Sequence, residues 1–284
     1  MKERRASITA QGIAFIRAYE TSKPPGERIC NDPLARRLIH PVYYWMGRVF
    51  AGPAERKDPG AVGFIAARCR YMDDYLLACL AEGMQQLVIL GAGLDSRAYR
   101  FPQLQALVRV FEVDQPATQE NKKRQLQRIL GVLPEYVHFV PVDLDVETLD
   151  KLFTFGYDPR LKTLFIWEGV VHYLTAAAVD QTLAWVLQNT GAGSSIIFDY
   201  LYTEALTGAH QRAEIRRQQR SGRWSGEALT FSIPEGQAVE FLRSRGYTQV
   251  VNVTADDLKK AYFTGVNAGR SVAPVYAIVH GRTS

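Results

Sequence analysis

Short apolar runs recur along this chain from residue 86 to its end. They cover 86–90, 107–113, 138–142, 163–167, 194–200, 247–253 and 276–280. Each is flanked by turn-forming or charged residues, the pattern of buried strands. The stretches between them at 116–130, 146–153, 176–189 and 234–245 space their apolar residues as helices do. The last of these ends at Gly246, a residue suited to a helix C-cap. Strands alternating with helices predict an α/β fold on a mostly parallel sheet with right-handed crossovers.

The first 80 residues have another pattern. Residues 7–20 predict an amphipathic helix capped by Ser7 or Thr9. Pro24, Pro25 and Gly26 predict a loop. Asp32-Pro33 opens a second helix, with the aspartate as cap and the proline at its first position. An aromatic segment at 41–50 contains Tyr43, Tyr44, Trp45 and Phe50. A loop is expected around Pro53–Gly60, then a longer helix through Arg68, Asp73 and Leu80. A length of 284 residues accommodates one core with an added lid better than two separate domains.

Composition narrows the class. No run reaches the ~18 apolar residues of a spanning helix. The basic start, Met1 to Arg5, is not followed by an apolar signal region, so cytoplasm is the expected compartment. The three cysteines, Cys30, Cys69 and Cys79, include no CxxC pair, so neither a disulfide framework nor a metal site is expected. The net charge of +5 is spread along the chain, with clusters at 122–124 and 212–220; the second reads as a solvated face, with an anionic-substrate or nucleic-acid surface as the alternative.

In open α/β sheets, ligands lie beyond the carboxyl ends of the strands. After the first strand stands Leu90-Gly91-Ala92-Gly93-Leu94-Asp95-Ser96-Arg97. Its glycines permit a sharp turn and close backbone approach. The third glycine of a dinucleotide fingerprint is replaced by Ser96, which argues against NAD or FAD and suits a nucleoside without phosphate, such as S-adenosylmethionine (SAM). Phe111-Glu112-Val113-Asp114-Gln115-Pro116 comes next, with Asp114 at the spacing of roughly 20 residues expected of a ribose acceptor. Asp143 and the Leu144 N–H, after the third strand, are placed to read an adenine rim. After the fourth comes Trp167-Glu168-Gly169-Val170-Val171-His172-Tyr173-Leu174. Glu168 suits the amino end of SAM, and Tyr173 can pack near a reacting methyl group.

This series of motifs resembles the leucine carboxyl methyltransferase superfamily. It is most similar to a bacterial branch that includes polyketide carboxyl O-methyltransferases. Ser7-Ile-Thr-Ala, Arg17-Ala18, Asp32-Pro33-Leu34-Ala35-Arg36 and Arg68-Cys69-Arg70-Tyr71-Met72-Asp73-Asp74 also match. The resemblance runs from about residue 7 to the last strand. It implies a class I SAM-dependent methyltransferase fold: Rossmann-like, with a mostly parallel seven-stranded sheet. Residues 1–80 would form an N-terminal helical lid. Residues 81–284 would form the SAM-binding domain, with a substrate-pocket insert at about 201–233 carrying Trp224 and Phe231.

The resemblance makes Arg68 the partner of the SAM carboxylate, through the planar fork of a guanidinium. Gly91, Ala92, Gly93, Asp95, Arg97, Asp114, Gln115, Asp143, Leu144, Glu168 and Gly169 complete the cofactor set. Tyr173 matches a tyrosine near the acceptor, whereas His172 stands where the family is commonly apolar. It is read either as packing or as a group serving an acceptor that must lose a proton.

The expected reaction is methyl transfer to a small molecule, foremost a carboxylate, which is ionised at pH 7 and needs no base. Arg17, Arg68 or Arg70 would orient it, and Phe15, Tyr43, Tyr44 and Trp45 suit a small organic substrate. A phenol or alcohol acceptor would instead call on His172 or Tyr173. A non-catalytic SAM-binding protein and a NAD-dependent oxidoreductase are the rival classes. No Asn/Asp-Pro-Pro-Tyr loop stands after the fourth strand, so nucleic acid is not an expected partner. The oligomeric state is left open.

Overall fold

Seven strands form a single sheet: β1 (Gln86–Leu90), β2 (Arg109–Asp114), β3 (Val137–Pro141), β4 (Thr163–Trp167), β5 (Ser195–Leu201), β6 (Thr248–Val253) and β7 (Tyr276–Arg282). The structure is a computed structural model that describes residues 3–57, 60–207 and 228–284, with 3–9 and 50–57 described by their backbone alone. The sheet order is β3-β2-β1-β4-β5-β7-β6. The first five strands pair in parallel. β7 runs antiparallel between β5 and β6. The chain winds outward from β1 to β3 and then crosses back to β4, so β1 and β4 flank the switch point where a crevice must open.

Twelve α-helices are described: α1 (Glu3–Thr21), α2 (Ala35–Leu38), α3 (Pro41–Lys57), α4 (Ala61–Ala81), α5 (Arg97–Arg100), α6 (Pro102–Leu107), α7 (Pro116–Leu130), α8 (Lys151–Thr154), α9 (Ala176–Gln188), α10 (Thr203–Leu206), α11 (Ala238–Arg243) and α12 (Ala255–Tyr262). The period of two along each strand splits the core between the two faces of the sheet. Val88, Leu90, Phe111, Val113, Phe165, Trp167 and Phe198 pack with α9 and α11 on one face. Leu87, Ile89, Val110, Leu164, Ile166 and Ile197 pack with α4, α7 and α12 on the other. Both faces are covered, which is why these runs are apolar throughout rather than alternating. Each large side chain buried this way stabilises the fold by about 1.5–3 kcal/mol.

Local chemistry explains several of the element ends. Asp32 Oδ1 accepts from the Leu34 and Ala35 N–H groups and so holds the turn into α2, but the helix begins at Ala35, so Pro33 precedes it instead of opening it. Gly246 has φ +102° just beyond α11. Thr254 and Asp257 form a reciprocal capping box at the start of α12, a helix that the apolar pattern did not predict.

The N-terminal third departs further from expectation. α1 begins at Glu3, so Ser7 and Thr9 lie inside the helix rather than at its cap. α3 runs to Lys57, and Pro53 lies within it instead of opening a loop. Proline costs a helix one hydrogen bond and a steric clash, but it does not always end one. Among the described residues, no helix is long and apolar enough to cross a membrane.

Candidate functional site

A cleft of about 230 Å³ opens at the carboxyl ends of β1, β2 and β4, roofed by Ala10, Ile13 and Arg17 of α1. These three share one face of the helix by their spacing. The loop after β1 forms the floor. Gly91 takes φ +65°, and a Cβ there would collide with Val170 Cγ2. Glycine is required on both counts. Ser96 leads into α5, which has only four residues, and its hydroxyl accepts from Arg100 Nε at 3.1 Å. The turn therefore leads into a short, ion-paired segment and not into the long helix that would receive a pyrophosphate.

One end of the cleft, beyond β2 and β3, holds fixed acceptors. Asp114 Oδ2 accepts from the Gly93 N–H at 2.6 Å and Oδ1 from the Gln115 N–H at 2.7 Å. Burial pushes the Asp114 carboxyl above its ordinary range, despite those two bonds and the charge of Lys122. Asp143 accepts from Gln115 Nε2 at 3.2 Å, and Glu147 Oε2 accepts the Asp143 N–H at 2.8 Å. Leu144 completes this wall. Beneath the glycine turn, the buried Lys122 lies 2.8 Å from Glu112 and donates to the Ala92 carbonyl at 3.3 Å. The apolar pattern gave no sign of that support.

The other end is crowded with charge. Arg68 of α4 donates through Nε to Glu168 at 3.0 Å and through Nη1 to Asp199 at 2.6 Å. Glu168 Oε2 lies 2.6 Å from Arg97 Nη1, an ion pair made off the hydrogen-bonding angle. Arg97 also pairs with Asp95 and Asp73, and Asp73 pairs with Arg100. Burial pushes the Glu168 carboxyl up, but Arg97, Arg68 and Arg17 outweigh it and hold it well below the carboxylate range. Asp95 is likewise depressed, chiefly by Arg97 against the effect of burial. Arg68 Nη2 is buried without a hydrogen-bond partner among the described residues. A buried donor of that kind is costly unless a ligand completes it. It fits a carboxylate entering from the cleft.

Of the cofactor-binding and acceptor-orienting residues singled out by sequence, the structure gathers all but His172, Arg97 and Arg70 on the wall of this cleft. Arg97 is 1% exposed and stands behind the wall, holding Asp95 and Glu168. His172 is buried against Tyr173, with ring centroids 4.3 Å apart. Burial, with the Arg68 charge acting in the same direction and Asp199 opposing, lowers its pKa to about 4. Arg70 is exposed and pairs with Asp74, one helical turn on, at 2.8 Å. Arg17 lines the cleft while donating to the Leu94 carbonyl at 2.6 Å and pairing with Asp32 at 2.9 Å.

The aromatic residues expected around the substrate go elsewhere. Phe15 and Tyr44 pack together in the helical layer, whereas Tyr43 and Trp45 are 39% and 62% exposed. Phe15 leaves α1 on a different face from Ile13 and Arg17, so it cannot share their cleft. Phe231 packs on Phe241 in the core, and Trp224 lies outside the described residues. The 212–220 charge cluster also lies outside them. Asp199, Asp73 and Lys122 are the site-supporting residues that sequence reasoning missed. A lone Asp inside the apolar run of β5 was the available signal for the first.

Comparison with known proteins agrees with this geometry. A Thermobifida fusca protein, described as a candidate methyltransferase, superposes with a TM-score of 0.60 at 17% identity, covering 97% of this chain and 94% of that one. A Streptomyces avermitilis protein of the DUF574 family gives 0.58 at 15% identity, with 95% and 97% coverage. Those likenesses establish the class I fold. Among sequence relatives, YktD of Bacillus subtilis is 29% identical over 95% of this chain and 82% of its own length. A Mycolicibacterium vanbaalenii relative is 33% identical over 86% and 84%. Both carry the description of candidate S-adenosyl-L-methionine-dependent methyltransferases. The model of the family "Leucine carboxyl methyltransferase" matches residues 10–187. With most of its length matched and its cleft built to this pattern, the chain belongs to the leucine carboxyl methyltransferase family and is a SAM-dependent methyltransferase.

Proposed function

We propose that this methyltransferase acts on oxygen, forming the methyl ester of a small carboxylic acid inside the cell. The observation that carries this reading is a contrast in the cleft wall: the Arg17 guanidinium lines the cleft, whereas the His172 imidazole does not. Burial lowers the pKa of Arg17, but Asp32 and its other acidic neighbours more than offset this, so it stays cationic. A cation can orient a carboxylate, which is already ionised at pH 7 and needs no base. A phenol or alcohol acceptor would need one, and a buried ring with a lowered proton affinity, set behind the wall, is a poor candidate.

Bound SAM supplies a methyl group on a positively charged sulfur, ready for in-line displacement by an oxygen. The chain's part is to bind, align and exclude water. Arg68 Nη2 would take the carboxylate of the cofactor, and Glu168 and Asp95 its amino end. Asp114 would accept from the ribose, and Asp143 and the Leu144 N–H would read the adenine. Gly91, Ala92, Gly93, Gln115 and Gly169 would line its path. Tyr173 would pack beside the reacting group, and Arg97 would act through Glu168. Residues 1–80 would serve as the lid, with Ala10 and Ile13 closing the roof.

The test is chemical. Protein supplied with methyl-labelled SAM and a panel of small acids, phenols and alcohols should place label in a product that mild base converts to methanol. Label that survives base, as in an aryl methyl ether, would overturn the ester reading.

A further inference from the structure

Asp199 is a fully buried carboxylate in the middle of β5, flanked by Phe198 and Tyr200 and out of contact with the cleft. A buried charge at such a place is expensive, and an apolar residue would serve the core better. Both of its oxygens are committed, and both partners belong to the cleft wall. Oδ1 accepts from the Gly169 N–H at 2.6 Å, and Oδ2 accepts from Arg68 Nη1 at 2.6 Å. Glu168 occupies Arg68 Nε from the other side. With Nε and Nη1 held, the guanidinium plane is fixed, and the unpartnered Nη2 is left pointing in one direction. The end of the fork lies against Gly169 in the cleft wall: a Cβ added to this residue would sit 3.4 Å from Nη2 and 3.5 Å from Nη1. Gly169 itself is held at φ +73°, a conformation that its hydrogen bond to Asp199 stabilises.

We propose that Asp199 is a positioning residue that presets the Arg68 fork and the Gly169 turn for the amino-acid end of the cofactor. The proposal rests on the reading that Arg68 takes the cofactor carboxylate. Preorganised donors avoid the cost of ordering them when the ligand arrives. The neutral His172 ring beside this pair brings no competing charge.

The test compares two ligands by calorimetry: S-adenosylhomocysteine, which carries the amino-acid tail, and 5′-methylthioadenosine, which lacks it. Asp199→Asn removes the ionic hold on Arg68 but can still accept from Gly169. It should weaken S-adenosylhomocysteine about tenfold or more while leaving 5′-methylthioadenosine within roughly twofold. Arg68→Lys should show the same selectivity, and the double variant should lose no more than Arg68→Lys alone. If Asp199→Asn leaves both affinities unchanged, or weakens both ligands alike, the positioning role is overturned while the Arg68 reading stands. If Arg68→Lys spares S-adenosylhomocysteine, the Arg68 reading itself falls, and this proposal with it.

A second measurement needs no Asp199 variant. In the ligand-free wild-type protein, nitrogen-detected NMR should resolve separate Nη1 and Nη2 signals for a pinned Arg68, assigned by their loss in Arg68→Lys. A single averaged signal from a freely turning guanidinium would overturn the proposal.

Discussion

The two ends of the cleft solve opposite electrostatic problems. At the β4–β5 end, Glu168 lies among Arg68, Arg97 and Arg17, and its carboxyl is driven below its ordinary range. At the β2–β3 end, Asp114 is held by backbone N–H groups, and its carboxyl is driven up. Burial acts in the same direction on both acids; the difference is the number of close guanidinium groups. A zwitterionic ligand end needs fixed charges of both signs, whereas a neutral nucleoside needs only well-aimed acceptors and donors. The division teaches that burial alone does not set the charge of an acid: its neighbours do, and they differ between the two ends of one cleft.

The largest expected effect breaks the charged end. Arg97→Met would leave Asp95, Asp73 and Glu168 short of a cation in a buried place. Removing one partner of such a network typically costs about 3–5 kcal/mol. Thermal unfolding should therefore drop by about 10 °C. A melting point within a degree or two of wild type would show that water or rearrangement replaces the network, and the contrast between the two ends would lose its basis.

Next in size is the β2–β3 end, proposed above to hold the nucleoside. Asp114→Asn removes a charge that burial disfavours, but the amide keeps only one acceptor for the Gly93 and Gln115 N–H groups, so stability should fall by about 1–3 kcal/mol. Affinity for SAM and for 5′-methylthioadenosine should both fall, by roughly ten- to a hundredfold, because charge-assisted acceptors are lost. Unchanged binding of both ligands would refute the ribose assignment. Loss of SAM binding alone would move Asp114 to the amino-acid end.

The smallest effect concerns acid sensitivity. His172 is neutral in the fold down to about pH 4, whereas an unfolded histidine takes up a proton below about 6.5. The unfolded state then binds more protons, so stability falls as pH drops from about 6.5 toward 4. His280, also lowered to about 4 by burial, adds to the same slope. Glu168 and Asp95 act at lower pH: their stabilising charge is present above the ordinary carboxyl range and is lost as acid titrates the depressed groups. Replacing His172 with Gln should flatten denaturant midpoints between pH 6.5 and 5, recovering about 1–2 kcal/mol of the pH-dependent loss at pH 5. An identical slope in the variant would mean that the ring is solvated and free to charge.

These contrasts also mark how far the site was legible in advance. Gly91, Asp114 and Glu168 each stand directly after an apolar run or at its end, and a parallel sheet must deliver such residues to one edge. Asp199 sits inside its run instead of after it, so position alone assigned it no role. Arg97 and His172 lie one or two positions from lining residues, and local spacing does not distinguish the wall from the support behind it. Tyr43 and Trp45 looked like pocket aromatics and proved exposed, because the face a helix turns inward depends on its neighbours.

The amino-acid order alone carried the α/β class, the seven strands to within one or two residues, and the loops that bear the chemistry. Those features have short-range causes: side-chain period, turn residues and the polarity of the residues just past each strand. The antiparallel course of β7, the pairing of Arg68 with Asp199 across 131 residues and the burial of His172 emerged only when the elements packed. They depend on which surfaces meet. Contacts between distant segments are chosen by the free energy of the whole core, which no local window of residues contains.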